Sequence, residues 1–389
     1  MASTGNILGL LISISLLLVI LLATPGSAQR SRNRRRSMNM NVIDRCWRSD
    51  PNWSRNRQQL GKCSVGFVGK MTNNIGRGVT YYTVTDPNDN PLSPKFGTLR
   101  YGTTRLRGKV WITFARDMRI TLGKPLLVSS FTTIDGRGAS VHIAGGACFL
   151  LNEVTNVIIH GLIFHQCRSQ PPGPVMGPGS KIVQLGNLDG DAIRLVASTK
   201  IWIDHNTLYQ CQDGLLDVTR GSTDITISNN WFRDHDKVML LGHDDGFVQD
   251  RRMRVTVVFN HFGPNCNQRM PRVRHGYAHV TNNLYLAWGD YAIGGSMNPS
   301  IRSESNFFIA PKTGNKMVTW KQDGIGSGQA MTSVRDMFTN GAYFSQTGHS
   351  GAGSGPRYNR QQRFRISDAR AVRSLTRSAG ALRCSRSRC

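Results

Sequence analysis

The sequence predicts an all-β protein, a parallel β-helix in which short strands stack coil upon coil. One observation is a pattern of apolar, any, apolar, any, any, Asn, any, large apolar residue, which recurs along the middle of the chain. The other is the abundance of glycine, with 41 of 389 residues. A repeat near 23 residues with one short strand per pass is typical of a solenoid. Abundant glycine favours turn-rich β structure over helices.

The repeat has six anchor positions, most of them Asn, namely Leu162, Asn206, Asn230, Asn260, Asn283 and Asn306. Asn side chains at equivalent corners would hydrogen-bond successive coils and satisfy backbone groups there. The 44 residues from Leu162 to Asn206 are about two periods, so Ile193 and Leu195 are expected to supply a missing coil. A β-sandwich is the alternative, because its strands alternate similarly. The regular Asn spacing favours the β-helix.

The N-terminus predicts a secretory signal peptide over residues 1–28. Ile7–Ala23 is apolar, and small residues precede a cleavage point after Ala28. A membrane anchor is the alternative, although seventeen residues are short for a span. Residues 29–40 are polar and Arg-rich, as in a disordered basic linker. We therefore expect a secreted chain that keeps no stable membrane anchor after cleavage.

The eight cysteines fit an oxidising compartment, since their number is even and disulfides persist outside the cell. Proximity pairs Cys46 with Cys63, within a cap segment at 41–65, and Cys384 with Cys389. Asn52-Trp53-Ser54 is an N-glycosylation sequon. The β-helix is expected over residues 66–345.

Residues 346–389 form an Arg-rich C-terminal tail without the repeat, expected to be irregular. Its charge is typical of a solvated tail or of an electrostatic tether to an anionic cell wall.

The net charge of +26 indicates a polyanionic partner, which is nucleic acid, anionic lipid or acidic polysaccharide. Outside the cell, nucleic acid is a poor candidate and an acidic glycan a good one. No recognition-helix pattern supports nucleic-acid binding either.

Two closely spaced pairs of acids indicate a metal site. Asp189 and Asp191 are separated by one residue, and Asp213 and Asp217 by three. On strands, each pair would project to one face. Four converging carboxylates repel unless a cation neutralises them, and oxygen ligands outside the cell favour Ca²⁺. The alternative is that Asp189 and Asp191 only shape an Asp-Gly turn.

A basic run, Gln268–Gly276, indicates recognition of carboxylates. It holds three Arg and one His, and Pro271 interrupts any strand ladder within it. Arg binds carboxylates in a bidentate manner. Lys237 could join this site. The alternative is a solvated basic face.

At these residues the sequence resembles the plant-type pectate lyases of polysaccharide lyase family 1, over roughly residues 40–345. The resemblance is carried by many motifs in order: CWR, DPNW, DGRG, DGDAI, WIDHN, DGLLDV, ISNNWF, HDKVMLLGH, FNHFG, QRMPRVRHG and GGSMNP. It implies a right-handed parallel β-helix, in agreement with the repeat.

The resemblance also implies roles for single residues. The family's calcium ligands fall on Asp189, Asp191, Asp213 and Asp217, its catalytic Arg on Arg269, and its substrate-binding groups on Lys237 and Arg274. WIDH at 202–205 corresponds to a structural signature of the family. A Cys211–Cys266 bridge is conceivable beside the basic run, where this sequence departs from the family.

The implied activity is secreted, calcium-dependent β-elimination on (1→4)-α-galacturonan in the cell wall, by a monomer. Arginine ordinarily stays protonated, so nearby positive charge is expected to help Arg269 act as the base. Two alternatives remain, a pectin lyase acting on methyl-esterified chains and a non-catalytic wall protein that binds acidic glycans.

Overall fold

In the computed structural model, which describes residues 40–322, 329–348, 354–385 and 388–389, the chain winds into a right-handed parallel β-helix. Residues 41–389 form one unit. The predicted signal peptide and all but the last residue of the linker lie outside the described residues. The predicted fold class is confirmed. The alternative of a β-sandwich is wrong, because all strand pairs of the two large sheets are parallel, as in the pair β13 (Thr199–Asp204) and β16 (Thr223–Ser228).

The larger sheet has 16 strands in two arms, which two long strands join. The first arm consists of β4 (Leu126–Leu127), β7 (Phe149–Asn152), β12 (Ile193–Val196), β15 (Leu216–Thr219), β19 (Met239–Leu241) and β27 (Thr319–Lys321). The second arm consists of β1 (Val79–Val84), β2 (Lys109–Phe114), β5 (Thr132–Asp135), β8 (Thr155–His160), β13, β16, β20 (Arg254–Val258) and β28 (Ala330–Val334). The joining strands are β23 (Arg272–Thr281) and β25 (Ile293–Glu304).

The second large sheet has nine strands and completes each coil. It consists of β3 (Met118–Ile120), β6 (Val141–Ala144), β9 (Ile163–His165), β14 (Thr207–Tyr209), β17 (Trp231–Arg233), β21 (His261–Phe262), β24 (Leu284–Leu286), β26 (Phe307–Ile309) and β29 (Met337–Thr339). Outside these sheets lie a hairpin of β10 (Gly173–Gly177) and β11 (Lys181–Leu185), and a pair of β18 (His235–Lys237) and β22 (Cys266–Gln268).

Among the described residues, helices are few and short. The α-helices are α1 (Val42–Arg48), α2 (Leu99–Thr104) and α3 (Val372–Leu375). The 3₁₀ turns are Arg57–Lys62, Gly66–Val68, Thr72–Asn74, Pro178–Ser180, Val248–Arg252 and Ala369–Ala371.

A ladder of buried Asn side chains joins the coils at the corner between the second arm and the nine-stranded sheet. The backbone N–H of Asn206 donates to Asn230 Oδ1 at 2.9 Å, and the N–H of Asn230 donates to Asn260 Oδ1 at 2.9 Å. The ladder continues through Asn283 and Asn306 at 2.9 and 2.8 Å. Each amide also donates to a carbonyl of the preceding coil, as Asn230 does to Ile203 O at 3.0 Å. The predicted role of the Asn repeat is therefore confirmed.

The large apolar residues of the repeat stack inside the coils. The rings of Phe232, Phe262, Tyr285, Phe308 and Phe338 follow one another with centroids 4.5 to 5.5 Å apart. Such ring stacks add to the free energy of burying aromatic surface. The residues that face inward from the first arm, the second arm and the nine-stranded sheet form one continuous core.

The expectation of an extra coil between Leu162 and Asn206 is wrong. The backbone N–H of Leu162 donates directly to Asn206 Oδ1 at 3.0 Å, so the two residues lie on adjacent coils. Ile193 and Leu195 belong to β12 in the first arm of that same coil. The surplus length forms the β10–β11 hairpin instead.

The predicted disulfides Cys46–Cys63 and Cys384–Cys389 are formed. A third bridge, Cys148–Cys167, was not expected. Cys211 and Cys266 are free, so the bridge conceived between them is wrong. The Cys211 thiol contacts the backbone carbonyl oxygen of Tyr209, and the Cys266 thiol contacts that of Phe232.

The N-terminal cap and the C-terminal segment meet over the second arm. His205 donates from Nε2 to Asp44 Oδ1 of α1 at 2.7 Å and from Nδ1 to the carbonyl oxygen of Gly380 at 3.1 Å. Asn41 Nδ2 donates to Leu375 O at 3.0 Å. This packing of residues 354–385 differs from the solvated tail that the composition suggests, because Val372 and Leu375 are buried.

Within the described ranges, no helix is long and apolar enough to cross a membrane.

Asn230→Ala is expected to lower the free energy of unfolding by about 2–6 kcal/mol, because it leaves the buried Asn206 N–H and the Ile203 carbonyl without this hydrogen-bond partner, at about 1–3 kcal/mol each. Urea denaturation followed by circular dichroism measures the change. The exposed Asn73→Ala serves as control. Equal midpoints for both variants would contradict a stabilising ladder.

Candidate active site

Five of the seven predicted site residues lie just ahead of a first-arm strand or of the joining strand β23, whereas Asp217 lies on β15 and Arg274 on β23. Asp189 and Asp191 precede β12, Asp213 precedes β15, Lys237 ends β18 before β19, and Arg269 precedes β23. Neighbouring parallel strands lie about 4.8 Å apart. Residues that are distant in sequence therefore form a line of adjacent side chains along the outside of the first arm.

The acids converge, although not in the way that the strand argument expects. Asp189, Asp191 and Asp213 lie in loops, and each offers one oxygen within 4.8 Å of the others. Only Asp217 lies on a strand. It stands outside this group of three but beside Asp191, since a Cβ added to Gly214 would lie 2.7 Å from Asp217 Oδ1 and 2.8 Å from Asp191 Oδ1.

The cluster carries the electrostatic signs of a cation site. Burial, together with the charge of Asp189, raises the pKa of Asp191 to about 7. Burial and the charge of Asp191 raise the pKa of Asp217 well above its usual range. Asp191 Oδ1 accepts from the Gly214 N–H at 2.7 Å, whereas Asp191 Oδ2 is buried and has no hydrogen-bond partner in the described part of the chain.

These residues fit a hard divalent cation such as Ca²⁺. The donors are all carboxylate oxygens, one of them lacks a partner, and the absence of a side chain at Gly214 keeps space free between two of them. Ca²⁺ prefers oxygen ligands of this kind.

Lys237 connects the acids to the basic run. Its Nζ forms an ion pair with Asp213 Oδ1. Its strand β18 pairs with β22 so that Lys237 lies opposite Gln268, the residue before Arg269. His235 Nε2 lies 2.5 Å from the carbonyl oxygen of Asp213 and holds this loop from the other side.

Arg269 sits at a backbone corner, with φ of +61°. Its carbonyl accepts from the Met239 N–H at 2.7 Å, and its Nε is buried with no partner among the described residues. Burial raises the pKa of Tyr291, while the charges of Arg272 and Arg269 lower it.

Arg274 is held apart from the acidic cluster. Its Nε donates to Asp245 Oδ1 at 3.1 Å, and its Nη1 donates to Gly242 O at 3.1 Å. No ion pair joins it to Asp189, Asp191 or Asp213 in the described structure.

Two more arginines belong to this region: Arg272, which the predicted basic run contains but for which no separate role was predicted, and Arg194, which was not predicted. Arg272 reaches Ser296 and Gln322, and its pKa is lowered by burial and by the charges of Arg274 and Arg269. Arg194 donates to Asp189 Oδ1 at 2.8 Å. Strand alternation could have revealed Arg194, because Ile193 and Leu195 on either side of it face the core.

The WIDH side chains do not belong to this line. Asp204 is buried, with His160 Nδ1 at 2.9 Å and Ser228 Oγ at 2.6 Å, and Trp202 Nε1 donates to Ser228 at 2.9 Å. The motif joins the second arm to the cap, which agrees with a structural role.

Comparison with known proteins supports the fold and shows the family. The profile of the family described as pectate lyase matches residues 123–380. "Probable pectate lyase 16" of Arabidopsis thaliana is 50% identical over 349 residues, which cover 89% of this chain and 87% of that protein. "Pectate lyase 1" of Juniperus virginiana is 49% identical over 347 residues, covering 87% and 93%.

Solved structures show the same architecture. The crystal structure of Jun a 1, the major allergen from cedar pollen, superposes with a TM-score of 0.84 at 47% identity and covers 88% of this chain and 99% of that one. A variant of the Bacillus subtilis pectate lyase has a TM-score of 0.61 at 19% identity, with 82% and 97% covered, and shows the fold alone.

A parallel β-helix that aligns buried carboxylates with Lys and Arg along one arm, in a chain with these relatives, is an enzyme of the polysaccharide lyase class. The chain belongs to the pectate lyase family.

In calcium-free buffer, the free energy of unfolding is expected to fall as the pH rises from about 4 to about 7. Unfolded Asp191 ionises near pH 3.8, whereas the folded protein holds the proton until about pH 7. Over this window the folded state binds more protons, so stability falls by up to about 1.4 kcal/mol per pH unit. Urea denaturation at each pH measures the slope.

Asp191→Asn is expected to reduce this slope, while the exposed Asp290→Asn keeps it. Identical slopes for wild type and Asp191→Asn would show that Asp191 is not the group responsible.

Proposed function

We propose that this chain is a secreted, calcium-dependent pectate lyase that cleaves de-esterified (1→4)-α-D-galacturonan by β-elimination. The supporting observation is the line of Asp189, Asp191, Asp213, Lys237 and Arg269 on successive coils. A polymer with one carboxylate per sugar would meet a cation site, an ammonium and a guanidinium in turn along this line. The products would carry unsaturated 4-deoxy-galact-4-enuronosyl ends.

Asp189, Asp191, Asp213 and Asp217 would hold the Ca²⁺. When bound, the ion supplies positive charge beside the uronate carboxylate, which makes the C5 proton more acidic.

The remaining steps belong to the chain's own groups. Lys237 and Arg274 would bind substrate carboxylates and orient the sugar, as charge-assisted hydrogen bonds do. Arg269 would take the proton from C5 as the C4–O bond breaks and a C4–C5 double bond forms. The departing oxygen at C4 takes up a proton, and no water is consumed.

The base role requires a neutral guanidine at Arg269. The observations that support this role are the place of Arg269 beside the Lys237–Gln268 pair and its buried Nε, which has no hydrogen-bond partner among the described residues.

Two other functions fit less well. A pectin lyase acts on neutral methyl esters, which need neither a carboxylate cluster nor aligned cations. A non-catalytic wall protein would need surface charge for acidic glycans, but it has no need of a carboxylate that is buried and unpartnered beside Gly214.

Arg269→Ala is expected to reduce turnover of polygalacturonate by about 10²-fold or more, the contribution typical of a general base. Ultraviolet absorbance of the unsaturated product is followed with added Ca²⁺ and with a chelator, and only the first is expected to show a rise for the wild type.

Arg383→Ala is the matched control, since Arg383 is 81% exposed and pairs with Asp117 away from the first arm. Near-normal turnover by Arg269→Ala would reject the assigned base. A folded wild type that binds the polymer but yields no absorbance at any pH would favour the non-catalytic wall protein.

Secretion rests on the apolar run before Ala28 and on the disulfides Cys46–Cys63 and Cys148–Cys167, which are typical of oxidising compartments. We propose that the mature enzyme acts as a monomer in the cell wall.

Expression of the full chain in plant cells is expected to release a protein whose N-terminal residue is Gln29, because cleavage follows Ala28. N-terminal sequencing of the medium checks this result. Full-length chain retained in the membrane fraction would favour the anchor instead.

A further inference from the structure

The carboxylate cluster already contains a cation supplied by the chain. Arg194 projects from β12, where it lies opposite Asp217 of β15 in the parallel register. Its Nη1 is 2.8 Å from Asp189 Oδ1 and 3.8 Å from Asp191 Oδ2. The side chain is only 19% exposed, so solvent screens these contacts incompletely.

We propose that Arg194 is an internal counter-ion of the cluster, which competes with the divalent cation and thereby lowers the affinity of the site for it. This inference rests on the proposed function, because it concerns the same calcium site.

The contacts of Arg194 support competition rather than a bystander role. The hydrogen bond to Asp189 is the only one that the Arg194 side chain makes in the described part of the chain, and its Nε is buried without a partner there. A metal ion that used Asp189 Oδ1 would have to share that oxygen with the guanidinium or displace it.

Charge leads to the same conclusion. The guanidinium of Arg194 lies 2.8 Å from Asp189 Oδ1 and 3.8 Å from Asp191 Oδ2, so its charge offsets the repulsion between these carboxylates in the metal-free protein. The same positive charge repels a second cation at the same oxygens. Arg194 therefore has two effects of opposite sign, since it stabilises the metal-free protein and weakens metal binding.

The geometry also separates Arg194 from Lys237. Lys237 pairs with Asp213 and lies toward the basic run, whereas Arg194 lies at the Asp189 end of the cluster. A variant at Arg194 can therefore change the metal site while leaving the Lys237 ion pair in place.

Isothermal titration of the mature chain with CaCl₂ tests the proposal without measuring turnover. Arg194→Gln is expected to bind Ca²⁺ about tenfold more tightly than the wild type, because a unit charge within a few ångströms of the ion is removed. Arg194→Lys keeps the charge and is expected to stay close to the wild type. Arg370→Gln removes an exposed Arg–Asp pair elsewhere and is expected to change nothing.

Thermal unfolding provides a second measurement. In chelator, Arg194→Gln is expected to melt below the wild type, and Ca²⁺ is expected to raise its midpoint by more. If Arg194→Gln does not fold, both measurements are made on Arg194→Met, which keeps the aliphatic part of the side chain.

Equal or weaker Ca²⁺ binding by Arg194→Gln would overturn the proposal. Absence of Ca²⁺ binding by every variant would also overturn it, and cleavage of polygalacturonate by the same preparations would show that the proposed activity stands without it. Binding by Arg194→Gln alone would support the proposal in its strongest form.

Discussion

The stacking of one coil on the next is the constraint on which the rest of the molecule depends. The site residues form a line in which each neighbour lies on the next coil, from Asp191 through Asp213 and Lys237 to Arg269. The spacing between coils therefore sets the distances between these residues. Backbone pairing sets that spacing, and the buried Asn ladder from Asn206 to Asn306 fixes the corner at which each coil turns. An irregularity in one coil would shift every later site residue against the acids.

The same stacking produces the electrostatic repulsion between the carboxylates of the site. Carboxylates on adjacent coils are brought together and partly buried, which disfavours their ionised forms, as the raised pKa of Asp191 shows. Two cationic groups of the chain offset this repulsion, namely the guanidinium of Arg194 and the ammonium of Lys237. The backbone N–H of Gly214 also donates to Asp191. The chain thus partly neutralises the cluster before any ion arrives, and an ion at Asp189 Oδ1 or Asp213 Oδ1 would have to share that oxygen with Arg194 or Lys237 or displace the side chain.

Much of the fold could be predicted because the Asn repeat has a physical cause. A corner residue that must satisfy backbone groups of two coils recurs at the coil period, whatever else changes between coils. The Leu162 to Asn206 interval was misjudged because length alone does not distinguish an extra coil from an inserted hairpin. The Cys148–Cys167 bridge was missed because its partners are close in space only after the coil closes.

The residues that form the candidate site could be predicted better than their arrangement in space. The spacing of Asp189, Asp191, Asp213 and Asp217 pointed to convergence, but three of them lie in loops, where strand alternation does not apply. Arg194 was overlooked because an Arg at an outward strand position looks like solvated surface until its neighbours on the next coil are known. The C-terminal segment was misjudged for a related reason, since its many Arg residues obscure the few apolar ones that anchor it.

The junction at His205 has a consequence for how the chain reaches its final state. Burial alone would lower the pKa of His205, but the charges of Asp44 and Asp204 raise it. Through its two ring nitrogens, His205 connects a middle coil to Asp44 of the N-terminal cap and to Gly380 of the C-terminal segment. Coils can pair with the preceding coil as they leave the ribosome. The surface formed by Trp47, Trp202 and Leu375 cannot close until the last residues have been synthesised. The contact between the cap and the C-terminal segment is therefore the part of the fold that the chain can complete last.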